Sequence, residues 1–375
     1  MTINWRRVAL SVGAPLIAIA FALLVTSLVL VSTGDPVWSN AKAVWDYGTT
    51  PRVIALTLNQ GTVYYLSALA VAIGFRMNLF NIGVDGQYRL AAFAAAIVGS
   101  HLHLWKPLDI LLIVLVAMAV GAAWAGIAAA LKAARGVSEV ISTIMLNAIA
   151  GSLVAYLLRK NAVEVAGSNN ITTKSIPENG AFPGIPLIHN STLDVYGFIV
   201  IAILAGIAYS VILGRTRFGF DLRATGRSMT AAVASGVNVR RMVVIALLAS
   251  GAVAGLVGMP QLLGGDTRAY SLDFPVGLGF TGIAIALLGR NNAVGMALAA
   301  LLFAFLDSSS IILDINGVSK EIVLIMQGTL VLSVVIVYEV VRRYGVVAEQ
   351  RRVSRLLADE PPAAPPPSTP AEVTA

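Results

Sequence analysis

Residues 76–87 read RMNLFNIGVDGQ, and the fold of the whole chain turns on how this stretch is placed. It sets Asn78, Asn81, Asp85 and Gln87, with Gly83 and Gly86 among them, between two apolar runs at 54–75 and 90–99. In a bilayer, polar side chains at this density are tolerated only where protein or a polar cavity surrounds them. The two glycines can open a helix and admit a close backbone or ligand. Two readings stay open: an interrupted helix that lines a pathway, or a plain turn joining two spans at the inner face.

The bilayer itself follows from composition. Hydrophobic residues make up 57% of the 375, and charged residues 12%, about half the charged share of a soluble domain. Apolar runs of about 20 residues recur, each long enough for a hydrocarbon core of about 30 Å. They are continuously apolar instead of alternating, which excludes a β-barrel. The expected fold is all-α: a polytopic membrane helical bundle of about ten segments, some short or broken, with both termini cytoplasmic. Glycine is abundant at 34 residues, which suits close helix packing. With no cysteine, thiol chemistry and disulfides are excluded, and His101, His103 and His189 all fall outside the apolar runs, so no metal site is expected.

Working outward, the basic residues 1–7 precede an apolar run at 8–31, read as a retained first span instead of a cleaved signal. Residues 32–52 carry Trp38, Trp45 and Tyr47 and suit a short amphipathic helix at the outer interface. Residues 108–131, 137–158 and 195–213 read as spans, with 159–194 as a long external loop. Glu139, Thr143 and Asn147 share one face of the 137–158 helix, as cavity lining or as interhelical hydrogen bonding. Residues 242–263 form a span that Pro260 kinks near its end. Residues 274–288 hold Pro275, Gly277, Gly279 and Gly282 and are short for a straight span, so a discontinuous or tilted helix is expected. Paired broken segments of this kind point to a central substrate site. Spans at 293–313, interrupted by the polar residues 307–310, and at 322–341 complete the bundle. The tail from 342 is cytoplasmic, and its proline-rich part from 359 is expected to be disordered.

Residues 215–241, RTRFGFDLRATGRSMTAAVASGVNVRR, hold six arginines and one acid, Asp221. Phe218, Phe220 and Leu222 make them amphipathic, so they read as a short cytoplasmic docking helix, or as a positive-inside anchor alone. Gly226 separates the arginine-rich half from the alanine-rich half and is expected to let the segment turn. Arg223 and Arg227 are expected to be its exposed interface charges. Seventeen of the 26 lysines and arginines fall in the segments assigned inside and eight in those outside, which supports the orientation.

No GxxxxGK loop, HExxH motif or dinucleotide fingerprint occurs. Uphill transport would therefore draw on an ion gradient or a partner ATPase. Asp85, Glu139 and Asp307 are the membrane acids that could relay protons.

Four stretches carry a resemblance. NIGVDGQ at 81–87 resembles the NIG-x-EGQ signature of ABC importer permeases of the branched-chain amino acid, simple-sugar and nucleoside type. VSEVISTIMLNAIA at 137–150, the arginine-rich loop at 215–237 and GLGFTGIAIALLGRNNAVG at 277–295 are similar to later segments of the same family, in family order. The wording is closest to nucleoside permeases. Position 85 departs from the signature, being Asp where the family usually has Glu. The resemblance implies a non-enzymatic permease subunit in a bacterial cell membrane, without a cofactor of its own. ATP would be used by a partner ATPase docked on Arg215, Arg217, Arg223, Gly226 and Arg227. A second, homologous permease and an extracytoplasmic binding protein would complete the assembly, and no nucleic acid is involved. Asn81, Asp85, Gln87 and Asn147 are the expected substrate-pathway residues, with Phe80 and Phe280 as stacking surface. A simple-sugar substrate is the alternative. The expected parts are 1–53 (first helix and external segment), 54–341 (permease core, including the docking loop) and 342–375 (tail).

Overall fold

In a computed structural model of the chain, the described residues are 20–21, 23–164, 170–319 and 321–333, with 336, 340, 343 and 350 as isolated positions. The start of the first expected span, most of the last expected span after 333 and nearly all of the tail from 342 lie outside them.

The described residues are helical almost throughout. After α1 (Leu23–Thr33) come α2 (Val37–Gly48), α3 (Pro51–Phe75), α4 (Val84–Gly99), α5 (Lys106–Arg135) and α6 (Glu139–Lys160). Then follow α7 (Ile199–Arg215), α8 (Arg217–Arg227), α9 (Met229–Ala234), α10 (Val239–Gly255), α11 (Met259–Gly264), α12 (Leu278–Leu288), α13 (Ala293–Ser309) and α14 (Ile311–Ile315). The last is α15 (Glu321–Ser333). Strands are confined, among the described residues, to two short antiparallel pairs in the 159–198 loop: Val163–Glu164 with Ile171–Thr172, and Gly184–Ile185 with Val195–Tyr196.

Among the described residues, four helices are long and apolar enough to cross a membrane: α5, α6, the α10–α11 run Val239–Gly264, and the α13–α14 run Ala293–Ile315. The pair α7 and α8 passes the same test together, but is bent by 72° at their junction. The chain is thus a polytopic helical membrane bundle. Apolar side chains such as Ile141, Ile144 and Met145 on α6 and Ile203, Leu204 and Ile207 on α7 face outward, as they do where lipid replaces water.

Helix α3 is the axis of the bundle. It is 25 residues long, starts on Pro51 in its first turn, and buries residues on every side from Val53 to Gly74. That position explains its polar content, Asn59, Thr62 and Ser67, which lie away from lipid. Helices α7, α10, α12 and α13 pack around it, and α4 sits between α5 and α6. Helix α10 lies along α5 through small residues, with Gly121 against Gly251 and Gly255.

The connections gather at two ends. At one end, Asn59 near the start of α3 donates to the Asp194 carbonyl at 3.1 Å, and the Tyr196 N–H donates to Asn59 at 2.7 Å. The Thr173 and Ile176 N–H groups donate to the Tyr270 and Arg268 carbonyls, each at 2.9 Å. At the other end, residues 76–83, α8 and the 289–292 turn are joined by side-chain hydrogen bonds.

Three boundaries differ from the sequence reading. The stretch 76–87 resumes as helix only at Val84, well before the apolar run at 90–99, because residues 79–83 run as extended chain and turn. The expected 242–263 span is α10, a break, then α11, with Pro260 in the first turn of the second helix instead of kinking one helix. The polar residues 307–310 end α13 and open α14.

Candidate functional site

The stretch 76–87 is neither a plain turn nor a simple kink. Helix α3 ends at Phe75, and the chain then doubles back along it before α4 begins. Two bonds fix how far it climbs. Asn81 Nδ2 donates to Ser250 Oγ at 2.8 Å, and Ser250 Oγ donates to the Ala70 carbonyl at 2.6 Å. Ser67 Oγ donates to the Leu278 carbonyl at 2.7 Å, bringing the start of α12 beside the start of α4. Ser67 lies nine residues before Arg76 on the same helix, about 13 Å along its axis. The two half-length helices therefore meet well inside the bundle, with about 24 Å for the 16 residues of α4 and about 16 Å for the 11 of α12.

Asp85 sits between them. Its carboxylate accepts the Gly277 N–H at 2.8 Å and the Gly279 N–H at 3.2 Å, and it lies in the first turn of its own helix. An acid inside a bilayer needs such partners. Here two helix N-termini, each with unpaired donors and a positive dipole end, converge on it. Gly277 has φ +83°, a conformation that a side chain would strain, and this turn aims its N–H at Asp85. Tyr88, one turn along α4, donates to the Pro275 carbonyl at 2.5 Å and fixes the chain entering α12.

The other polar residues of the stretch are also fully engaged within the fold. Asn81 and Gln87 form a reciprocal amide pair, both bonds 2.9 Å, and Asn81 Oδ1 also accepts the Gly83 N–H at 3.1 Å. Both residues are 1% exposed. Asn147 on α6 donates to the Ile82 carbonyl and accepts the Gly86 N–H, each at 2.8 Å. On Asn147 the interhelical reading of the α6 stripe therefore holds. Glu139, at the start of that stripe, pairs with Lys132 Nζ at 2.7 Å. Phe80 is half exposed and stands edge-on to Phe75 at 5.0 Å, whereas Phe280 is 61% exposed on α12.

The arginine-rich stretch folds as two helices, α8 and α9, capped by Thr216 and Ser228. Gly219, Leu222 and Thr225 form the buried stripe of α8. Arg215, Arg217 and Arg227 are exposed, but Arg223, expected to be an exposed interface charge, is half-buried beside that stripe. Gly226 is not the turning point. The turn falls at Ser228, and Gly226 is where α8 meets Arg76 and Met77 so closely that a Cβ would strike the Arg76 carbonyl. Asn78 Nδ2 donates to the Gly226 carbonyl at 2.7 Å. Arg76 Nη2 donates to the Asn291 carbonyl at 2.6 Å, which also accepts from the Tyr209 hydroxyl at 2.8 Å. Thus α8, α7, the α12–α13 turn and the 76–83 segment form one linked layer.

Sequence reasoning does not single out Ser250, Tyr88, Arg76 or Asn78 as tie points. Ser250 is one serine in an apolar run next to a packing glycine, and nothing local marks it. Arg76 and Asn78 stand within the polar stretch at 76–87, but their partners lie 215 and 148 residues away.

Over residues 53–335 the chain matches the family of permease components of the branched-chain amino acid transport system. It is 35% identical over 331 residues to the guanosine ABC transporter permease protein NupP of Bacillus subtilis, covering 87% of this chain and 93% of that protein. It is 31% identical over 330 residues to the nucleoside ABC transporter permease protein NupB of Lactococcus lactis subsp. cremoris, covering 86% and 90%. It is 35% identical over 366 residues to the glucose ABC transporter permease protein TsgB13 of Haloferax volcanii, covering 93% and 94%. No solved structure matches the chain. A bundle with two inward-starting half-helices, a linked basic helix and relatives matched nearly end to end lead to one assignment: the chain belongs to this permease family and is the non-catalytic membrane subunit of an ABC importer.

Proposed function

We propose that the protein is the permease of a nucleoside importer. What carries this reading is the relatives' names: guanosine and nucleoside transporters stand among the relatives matched over most of their length. The glucose transporter relative keeps a simple sugar as the second reading. Both solutes are neutral and rich in hydroxyl groups.

The chain crosses the membrane in ten segments with both termini inside, as the 17-to-8 bias of basic residues supports. Residues 1–53 form the first helix and outer segment, 54–341 the permease core and 342–375 the inner tail. On this reading α8 and α9 face the cytoplasm and dock on the ATPase through Arg215, Arg217, Arg223 and Arg227. A second, homologous permease completes the pair, and a binding protein delivers solute on the far side. ATP-driven closure of the ATPases displaces α8. Arg76, Asn78 and Gly226 pass that displacement to residues 76–83, and Asp85 passes it to α12. Asn81, Asp85, Gln87 and Asn147 are then the hinge of the pathway, holding the half-helices that open and close it. Phe80 and Phe280 supply apolar surface against which a base can rest.

The test is uptake by the complete transporter in vesicles. Labelled guanosine should accumulate with ATP and be competed by other nucleosides but not by glucose. Competition by glucose and not by nucleosides would replace this reading with the sugar one.

A further inference from the structure

We propose that the cavity between α3, α13 and α15 is where the solute first meets the permease, and that Asp307 and Ser308 there select a neutral, hydroxyl-rich molecule. The inference rests on the importer reading and on the orientation given above.

The cavity measures about 400 Å³, within the range of about 300–1,000 Å³ that small-molecule sites occupy. It is lined by Gln60, Asp307, Ser308, Ser310 and Glu321, with leucine, isoleucine and valine side chains between them. A polar lining of this kind is out of keeping with a chain only 12% charged, unless water or a ligand shares the space. Asp307 is already aimed. Its Oδ2 accepts the Tyr64 hydroxyl at 2.9 Å. A carboxylate offers about four acceptor positions, so Asp307 can also receive donors from a ligand. Acceptor carboxylates, serine hydroxyls and an amide suit the vicinal hydroxyl groups of a ribose or hexose. No lysine or arginine is among the described residues that line the cavity, and the Asp307 carboxylate would repel a phosphate or a free carboxylate.

Its position agrees with an entry role. Gln60 follows Asn59, which is bonded to the loop around Asp194 and Tyr196 at the end of the bundle away from α8. Asp307 and Ser308 lie at the end of α13 that is far from the 289–292 turn. The contrast with residues 81–87 also points here, because those side chains are already bonded within the fold.

This chain has no cysteine, so one introduced thiol can be followed on this chain's own band in the complete transporter. In the complete transporter, Ser308→Cys supplies the permease's only thiol. A water-soluble methanethiosulfonate reagent added on the binding-protein side should modify it. Guanosine-loaded binding protein with ATP should slow that modification, and unloaded binding protein should not. Asp307→Asn should assemble at wild-type yield and take up guanosine about tenfold more slowly, with a smaller loss for deoxyguanosine. If glucose protects the introduced thiol and guanosine does not, the cavity assignment stands and the nucleoside reading fails. A thiol that is unreactive, or equally reactive with and without any solute, would overturn the cavity assignment. Wild-type guanosine uptake by Asp307→Asn would do the same.

Discussion

Two polar interruptions break this apolar chain, one at 76–87 and one at 307–310, and Asp85 in the first and Asp307 in the second use their hydrogen bonds differently. In the first, Asn81, Asp85, Gln87 and the neighbouring Asn147 spend theirs inside the fold, on adjacent helices and backbone segments. In the second, Asp307 takes one bond from Tyr64 and otherwise opens, with Ser308, onto a cavity. Polarity inside a membrane protein thus has two meanings. A group bonded within the fold is a joint, and a group beside a cavity is available to a ligand.

The joint should fail first. Asp85→Leu leaves the Gly277 and Gly279 N–H groups without their acceptor inside the bundle, which costs about 2–4 kcal/mol. The purified complex should melt at a lower temperature and transport nothing. Asp85→Asn keeps the volume and one acceptor oxygen, so the complex should survive with impaired uptake. Wild-type uptake by that variant would remove Asp85 from the joint. Asn147→Ala orphans the Ile82 carbonyl and the Gly86 N–H, at about 2 kcal/mol, read as a smaller drop in melting temperature. Arg227→Glu acts on the exposed end of α8 and should reduce ATPase co-purification about tenfold while leaving membrane insertion unchanged. Phe280→Ala should change stability by less than about 0.5 kcal/mol, since the ring is largely exposed. A selective loss of nucleoside uptake in that variant would make the ring a substrate contact.

Much of this arrangement is legible in the sequence, for identifiable reasons. Long apolar runs announce membrane helices, and the shortness of 274–288 with its Pro275 and glycines announces a half-helix, observed as α12. The spacing of Phe218 and Leu222 among arginines announces the helix observed as α8. What the sequence hides is pairing over distance. Asp85 finds backbone N–H groups 192 and 194 residues away, and backbone donors carry no residue-specific signal. The depth of the break is hidden for the same reason, because it is set by Ser67 and Ser250, which read as incidental serines in apolar helices. Gly226 misleads in a related way. As a glycine inside an arginine-rich stretch it suggests a bend, but its missing side chain serves a close approach to Arg76.

The central claim is that motion of the docked helix α8 reaches the half-helices through the 76–83 segment. The double variant Arg76→Ala with Asn78→Ala cuts both side-chain links to that layer while leaving the arginines of α8 in place. Guanosine accumulated per ATP hydrolysed, measured in vesicles holding the complete transporter, tests this most directly. That ratio should fall about tenfold with hydrolysis and complex yield retained, since tenfold corresponds to about 1.4 kcal/mol of lost coupling. An unchanged ratio would contradict the account.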